Sequence, residues 1–159
     1  SMEDIIDILI QWGPMGMFIA AFLAGSFFPF PSEVVIGGVY SLERQQGMAD
    51  ANLMWTLLWT ATLGNVLGGV FNYGVGMLCS EEYIIRKFKI KPKKWEKSKR
   101  WTQQYGFWGG FLAWVPFLGS AVTIAQGFMR VNFWLSTLTS TIGKALRYIL
   151  ILMALGATM

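Results

Sequence analysis

The feature that most constrains the fold is an apolar run, residues 22–38, that contains two prolines and a glutamate. Pro29 and Pro31 interrupt any helix there, because proline lacks a backbone donor and clashes with the preceding turn. In a bilayer, broken backbone persists only where protein packs around it or where it lines a wet cavity. Glu33 follows at once, and an ionisable residue at membrane depth is by default a functional candidate.

The composition indicates an integral membrane protein. Hydrophobic residues make up 54% of the 159-residue chain and charged residues 14%. Histidine is absent and Cys79 is the single cysteine, so we expect no disulfide within the chain, no metal site, no cofactor and no histidine-based catalysis. An enzyme is not expected, since no base lies near Ser32 in the sequence to activate its hydroxyl. The acidic start of the chain is also not typical of a cleavable signal peptide.

The first part of the chain predicts short helical arms. Residues 3–12 have an amphipathic helical pattern and predict a helix along the membrane interface. Residues 14–28 would reach only about 22 Å as a helix, against a hydrocarbon core of about 30 Å, which favours a re-entrant arm over a full span. Ser32 is predicted to cap a return arm over residues 33–42, with Glu33 near the positive end of the helix dipole. Residues 43–51 predict a polar connector.

Residues 52–79 contain no charge and predict a transmembrane helix. Gly64 and Gly68 are four residues apart, a spacing that lets another helix approach closely. Asn65 and Asn72 lie in the same half of this helix. They either hold helices together by hydrogen bonds or line a polar path.

Residues 80–105 carry nine basic and three acidic residues and predict a cytoplasmic loop by the positive-inside rule. Aromatic residues interleave with the charges, which favours a helix lying on anionic headgroups over nucleic-acid binding. Specific capture of phosphate headgroups is the alternative. The aromatic residues are Phe88, Trp95, Trp101 and Tyr105.

Residues 107–127 are again apolar but broken, by two adjacent glycines, Pro116 and Gly119, and predict a second re-entrant hairpin. Arg130 follows its exit. Residues 133–159 predict a last spanning helix, interrupted by Lys144 and Arg147.

The two halves of the chain resemble each other. Residues 55–67 align without a gap on residues 134–146, so that Asn65 matches Lys144, and residues 22–32 align less regularly on 111–120. Such internal similarity is typical of duplicated transporters. If each spanning helix crosses once, the two units run in opposite directions and their hairpin tips meet near the midplane.

We therefore predict an all-α membrane protein with an inverted repeat of two re-entrant hairpins, each followed by a transmembrane helix, plus interfacial amphipathic helices. Residues 1–159 form one membrane domain: 1–13 the interfacial helix, 14–79 repeat 1, 80–105 the basic loop and 106–159 repeat 2.

In this arrangement Glu33 faces the second unit, where Lys144 and Arg147 are the available cations and Arg147 is the first choice. The pair is either a structural ion pair or a proton or substrate site. The residues predicted to bind substrate or protons are Glu33, Ser32, Lys144, Arg147, Asn65, Ser120 and Arg130. The predicted hairpin-breaking residues are Pro29, Pro31, Pro116 and Gly119.

Four motifs resemble the DedA family of bacterial inner-membrane proteins, which contain a SNARE-associated (VTT) domain, and specifically its YqaA-like branch. They are Pro31-Ser-Glu-Val-Val35, Thr60-Ala-Thr-Leu-Gly-Asn-Val-Leu-Gly-Gly69, Trp114-Val-Pro-Phe-Leu-Gly119 and Gly143-Lys-Ala-Leu-Arg-Tyr148. The resemblance covers about residues 15–156. It implies a multi-pass protein of the bacterial inner (cytoplasmic) membrane. Better-known members are implicated in recycling undecaprenyl phosphate, coupled to the proton motive force, and eukaryotic relatives scramble phospholipids.

Glu33 matches the glutamate of the family's first hairpin, but the second hairpin departs from the family pattern. Family members with the transport phenotype carry an arginine three residues before the hairpin proline and another three after it. Ala113 and Gly119 occupy those positions here.

The leading functional hypothesis is a proton-coupled transporter or flippase of an anionic, lipid-linked substrate, either polyprenyl phosphate or phospholipid. The alternatives are a proton-coupled carrier of small ions or solutes, and a non-transporting scaffold or membrane-homeostasis protein, which the lack of a cavity between the hairpin tips would favour. The expected partners are membrane lipids, including polyprenyl phosphate, and no nucleic acid. A homo-oligomer is left open.

Overall fold

The structure is a computed structural model that describes residues 1–28, 30–115 and 118–156. The regular elements among these residues are helices, and none of them is a strand. Pro29 and Pro116, two of the predicted hairpin-breaking residues, lie outside the described residues. The helices are α1 Met2–Gln11, α2 Pro14–Gly25, α3 Ser32–Gln45, α4 Ala51–Leu78, α5 Glu81–Phe88, α6 Pro92–Tyr105, a 3-10 helix Gly106–Leu112, α7 Leu118–Phe128 and α8 Phe133–Ala154. The polar connector is shorter than predicted because α3 continues to Gln45.

The amphipathic pattern of the first residues produces α1, and its apolar face packs inside the protein. Leu9 is 5% exposed, and Ile6 and Ile10 pack on the same core as residues of α2 and α3. Ile5 and Ile8 remain about half exposed on the other flank. The apolar surface of α1 is therefore divided between the core and the outside.

Helix α4 is the central element. Its 28 residues reach about 42 Å, and it is the one helix among the described residues that is long and apolar enough to cross a membrane by length and composition. Helix α2 lies against it so closely that a Cβ at Gly64 or Gly68 would collide with backbone carbonyls of α2, those of Phe18 and Phe22. The close helix approach predicted from the glycine spacing is confirmed.

The segment that follows the basic region packs on α8 in a similar way. The 3-10 helix lies on α8, where Gly110 leaves room for Thr139, whose hydroxyl donates to the carbonyl of Phe107 at 2.7 Å. The segment predicted to begin a second hairpin thus forms a 3-10 helix over Gly106–Leu112. Its glycines lower α-helix propensity, and the rings of Trp108 and Phe111 stack at 5.8 Å, because residues three apart align in a 3-10 helix.

The basic segment 80–105 forms two helices that pack on α7. Trp95 is fully buried against Ile84, Ile124 and Phe128, with its ring 5.6 Å from that of Phe128. The prediction that Trp95 lies among lipid headgroups is therefore wrong. An indole between charged neighbours in the sequence can also belong to the buried face of an amphipathic helix, and Trp95 belongs to the buried face of α6.

An ionic contact ties α6 to the start of α5. Glu81 accepts a hydrogen bond from Trp95 Nε1 at 2.9 Å and another from Lys99. Lys99 and the indole hold the pKa of Glu81 below its usual range, and Glu81 in turn raises the pKa of Lys99. The two helices therefore form one unit.

Candidate functional site

The chain between α2 and α3 is broken, and side chains of other helices bond its free carbonyls. The Gly25 carbonyl accepts from Asn72 Nδ2 at 3.3 Å, and the Ser26 carbonyl accepts from Ser120 Oγ at 3.0 Å. Helix ends leave such carbonyls unpaired, and lipid cannot bond them. Asn65 Nδ2 donates to the carbonyl of Ala21, one turn earlier in α2, at 3.0 Å. Both asparagines therefore hold helices together, as one of the two interpretations predicted, and Asn65 also lines the cavity described next.

A cavity of about 630 Å³ opens where this break meets the start of α7. Its volume lies within the range of about 300–1,000 Å³ that is typical of small-molecule sites. The lining residues come from five places: the end of α2 with the start of α3, Asn65 of α4, the turn between α5 and α6, residues 113–115 with the start of α7, and the middle of α8.

An ion pair in this cavity joins α3 to α8. Glu33, in the first turn of α3, accepts a hydrogen bond from Arg147 of α8 at 3.2 Å, so the predicted pairing of these residues is observed. The side chain of Glu33 is 51% exposed and that of Arg147 21%. An ion pair this accessible contributes at most about 1 kcal/mol to stability, so an anion that displaces Glu33 from Arg147 loses little stabilising energy.

Beneath the ion pair lies a line of buried polar contacts. Ser32 Oγ and the Tyr148 hydroxyl are 3.0 Å apart, and Asn65 Nδ2 donates to the same hydroxyl at 3.4 Å. The carbonyl of Asn65 accepts from Lys144 Nζ at 2.8 Å. Ser32 does not cap α3, which has Pro31 at its N-cap. Its hydroxyl instead bonds the hydroxyl of Tyr148 on α8.

The cavity brings together five of the seven predicted site residues: Glu33, Ser32, Asn65, Ser120 and Arg147, with Pro31 beside them. Lys144 is 2% exposed and lies under Asn65, outside the cavity lining. Arg130 is exposed between α7 and α8, in a left-handed conformation with φ 55°, and does not line the cavity.

The two positions where the sequence departs from the family pattern both lie at this site. Ala113 lines the cavity, and Gly119 is buried so tightly that a Cβ there would collide with the carbonyl of Ala113. The second hairpin thus supplies no charge of its own at either position.

Sequence reasoning missed three cavity residues, Lys89, Lys91 and Lys94. The sequence predicts that this segment lies on anionic headgroups, with specific capture of phosphate headgroups as the alternative, and neither interpretation places these lysines at the hairpin tips. A usable signal was present: Ile90 and Trp95, which stand among the lysines, form an apolar face that must pack on protein or lipid. The structure packs both against α7 and so brings the neighbouring lysines to the cavity.

The remaining cavity wall is aromatic. Phe27, Phe28, Phe30 and Trp114 line it, and the ring of Phe27 contacts that of Phe88 edge to face at 4.9 Å. Cations and aromatic rings therefore share one cavity, which suits a ligand with an anionic group on an apolar body. The described residues contain no group of three or more side chains suited to hold a metal ion.

Comparison with known proteins decides the family, because the VTT domain model matches residues 14–157. The chain belongs to the VTT domain (DedA) family. It is 31% identical to the inner membrane protein YqaA of Escherichia coli over 135 residues, 84% of each chain, and 30% identical to an uncharacterized protein of Haemophilus influenzae over 136 residues, 86% of this chain and 83% of that one. It is also 28% identical to undecaprenyl phosphate transporter A of Staphylococcus aureus over 156 residues, 91% of this chain and 74% of that one.

No solved structure matches the chain. The resemblance to the DedA family and the assignment as a membrane protein are confirmed. The names of the family and of its members point to membrane proteins and transport.

Proposed function

We propose that this VTT domain protein transports an anionic, lipid-linked substrate across the bacterial inner membrane. The observation that carries the proposal is the cavity between the helix breaks. Among the described residues, its lining consists of four cationic side chains, one carboxylate and a group of aromatic rings. The phosphate headgroup would occupy the charged part, and the acyl or prenyl chain would leave past the aromatic rings. The relative named undecaprenyl phosphate transporter A favours polyprenyl phosphate as the substrate.

The proposed topology is an inverted repeat of re-entrant hairpins in a multi-pass protein. Helices α2 and α3 have 12 and 14 residues and reach about 18 and 21 Å, less than a bilayer core of about 30 Å. Asn65 and Lys144 are equivalent in the repeat and contact each other at 2.8 Å, as residues on a two-fold axis do.

The packing between the two units also supports the repeat. Helix α4 contacts α7, where Gly76 faces the carbonyl of Ile124, and α8 reaches the start of α3 through Arg147 and Tyr148. Each spanning helix thus contacts the second arm of the other unit. The domain division into 1–13, 14–79, 80–105 and 106–159 follows from this repeat.

In the proposed mechanism the headgroup and Glu33 compete for Arg147. An arriving phosphate oxygen accepts a hydrogen bond from the guanidinium and so releases the carboxylate of Glu33, which is the group that takes up a proton in this proposal. Departure of the headgroup restores the ion pair and releases the proton. Transport would then be coupled to protons through Glu33.

The test is movement of a fluorescent polyprenyl phosphate between leaflets of liposomes that contain the purified protein, with and without a pH gradient. We expect wild-type protein to move the lipid, and Glu33→Gln to abolish the response to the gradient. Arg147→Gln should slow movement about tenfold or more, the loss expected for one charge-assisted contact. Glu3→Gln, an exposed carboxylate of α1, is the matched control and should behave as wild type.

Wild-type liposomes that move neither polyprenyl phosphate nor phospholipid under any gradient would contradict the lipid transport proposal. If the same liposomes take up a small solute through a Glu33-dependent route, the carrier alternative replaces it. The aromatic wall and the cavity volume favour the lipid over a small ion.

A further inference from the structure

Lys144 is a buried ionisable side chain that the proposed transport mechanism does not use. It lies on α8 and is 2% exposed, and its Nζ donates to the main-chain carbonyl of Asn65 on α4 at 2.8 Å. That carbonyl is its one hydrogen-bond partner among the described residues. The ion pairs in the same part of the chain do not include Lys144.

The elements packed around Lys144 bring it no opposite charge. Helices α2, α4 and α7 and the 3-10 helix contain no charged residue. Tyr73, the one ionisable residue of α4, donates to a carbonyl of the loop before α8. On α8 itself Arg147 is a like charge, and Glu33 of α3 contacts that arginine. An ammonium ion enclosed without an opposite charge is costly, whereas a neutral amine needs little more than the hydrogen bond to Asn65.

The surroundings of Lys144 also leave an acceptor for an added proton. Gly69 makes room for the amine, because a Cβ there would lie 3.0 Å from Nζ. One turn further along α4, Asn72 is fully buried, and its Oδ1 has no hydrogen-bond partner among the described residues. An ammonium ion has three N–H donors to place, and Asn65 accepts one of them. The neighbouring turn of α4 therefore offers the charged form an acceptor that the neutral form does not use.

Asn65 also connects Lys144 to the cavity. Its side chain donates to the hydroxyl of Tyr148 at 3.4 Å, and that hydroxyl is 3.0 Å from Ser32 Oγ. Lys144 and Tyr148 are four residues apart on α8 and so share one face of the helix. Ser32 lines the cavity, and Glu33 follows it in the chain. Two hydroxyl groups, which can each accept and donate a proton, thus stand between the enclosed amine and the cavity.

We propose that Lys144 is an enclosed proton-binding site that exchanges the coupling proton with Glu33. This inference rests on the proposed function and adds a second place for the proton in the same cycle. In the exchange, the carboxylic acid of Glu33 gives up its O–H proton. The hydroxyls of Ser32 and Tyr148 each accept one proton and pass on their own, and the lone pair of Lys144 Nζ takes the last one. Glu33 becomes a carboxylate and Lys144 an ammonium ion, and the reverse exchange returns the proton to the cavity.

The first test observes the protonation of Lys144 directly. Wild-type protein with isotope-labelled lysine is purified in detergent, and the Cε–Hε signals of the lysine side chains are followed by nuclear magnetic resonance as the pH changes. The Lys144 signal is the one that is missing from Lys144→Gln. Lys93→Gln, which removes an exposed lysine outside the cavity lining, is the matched control. We expect the Lys144 signal to titrate between the two pH values that are set on the two sides of the liposomes in the transport assay.

The second test measures the response of lipid movement to the pH gradient. Lys144→Gln keeps a donor for the carbonyl of Asn65 but cannot carry a proton, so it should move the lipid at equal rates with and without the gradient. Lys144→Arg stays charged and should also lose the response. Lys93→Gln should respond as wild type. Tyr148→Phe removes one hydroxyl of the route and should slow the response while Lys144 still titrates. Gel filtration checks the folding of each variant, and Lys144→Met replaces Lys144→Gln if that variant does not fold.

A Lys144 signal that remains that of an ammonium ion between those two pH values would overturn the proposal. A full gradient response in Lys144→Gln or Lys144→Met would overturn it as well, because the coupling proton would then bypass Lys144. The two tests keep this proposal distinct from the transport function. Wild-type liposomes that move no lipid refute transport while the titration of Lys144 still stands, whereas transport without titration of Lys144 refutes the proton site alone.

Discussion

The hydrogen bond between Ser32 and Tyr148 provides the sharpest test of how the two units are joined. Both side chains are fully buried, and their oxygens are 3.0 Å apart at the point where the start of α3 meets α8. Tyr148→Phe removes one hydroxyl while keeping the ring, and Ser32→Ala removes the other. The two variants and their double mutant form a thermodynamic cycle.

The expected magnitude follows from the asymmetry of buried hydrogen bonds. A single variant leaves the other hydroxyl without this partner, which costs about 1–3 kcal/mol in soluble proteins. Hydrogen bonds between membrane helices couple more weakly, by about 0.6 kcal/mol on average and about 1.7 at most. Tyr148→Phe also loses the contact with Asn65, but at 3.4 Å that bond is weak. We therefore expect each single variant to lower the free energy of unfolding by about 1–2 kcal/mol. The loss in the double variant should be smaller than the sum of the two single losses by about 0.6–1.7 kcal/mol.

The assay is unfolding in mixed micelles by increasing the fraction of a denaturing detergent, followed by circular dichroism. Tyr40→Phe serves as the control for removing a phenol, because Tyr40 is 7% exposed on the same helix as Ser32 and lies outside the cavity lining. Strictly additive variants, with no coupling beyond about 0.3 kcal/mol, would refute the argument that this bond joins the units.

Three further predictions follow from the packing and the charges. The Gly25→Ala variant should unfold or fail to accumulate, because its added Cβ would collide with the backbone of α4. The Gly74→Ala variant should accumulate like wild type, because no atom lies within 4 Å of the added Cβ. Expression level and gel filtration compare the two variants. The pKa of Glu81 is lowered in the folded protein, so Glu81 stabilises the fold at pH values above the usual carboxyl pKa of about 4.5. This stabilisation is lost as the pH falls through the lower pKa of the folded state. Tryptophan fluorescence should therefore show an acid transition that Glu81→Gln abolishes. Lys144→Met should leave the affinity for a short-chain prenyl monophosphate, measured by calorimetry, within about twofold, since Lys144 lies outside the cavity lining; a loss of tenfold or more would place it in the site.

Much of the fold could be predicted from local chemistry. The uncharged run of residues 52–79 became α4, bounded within one residue at each end, because neither charge nor proline interrupts it. The break after α2 followed from the prolines. The pairing of Glu33 with Arg147 followed from counting the cations that the last helix offers at membrane depth.

The place of Lys89, Lys91 and Lys94 at the cavity could not be predicted in the same way, because it depends on packing between segments far apart in the chain. Trp95 and Ile90 bind the basic segment to α7, and only that contact brings Lys89 and Lys91 to a cavity formed by α3 and α8. Local pattern identifies an apolar face but not the surface that covers it. The same limit explains why Ser32, which has the composition of a helix cap, bonds to α8 instead.

In the proposed repeat, the ion pair of the cavity has no counterpart. The position equivalent to Glu33 is Ala121, and the position equivalent to Arg147 is Gly68. Each charge of the ion pair therefore corresponds to a small residue in the other proposed unit. Ala121 lines the cavity, whereas Gly68 packs tightly against the backbone of α2. Lys89, Lys91 and Lys94 add further cations to the cavity lining, and they belong to the segment between the two proposed units. The cavity therefore takes this positive charge from outside the proposed repeat, and not from positions 113 and 119 of the second hairpin.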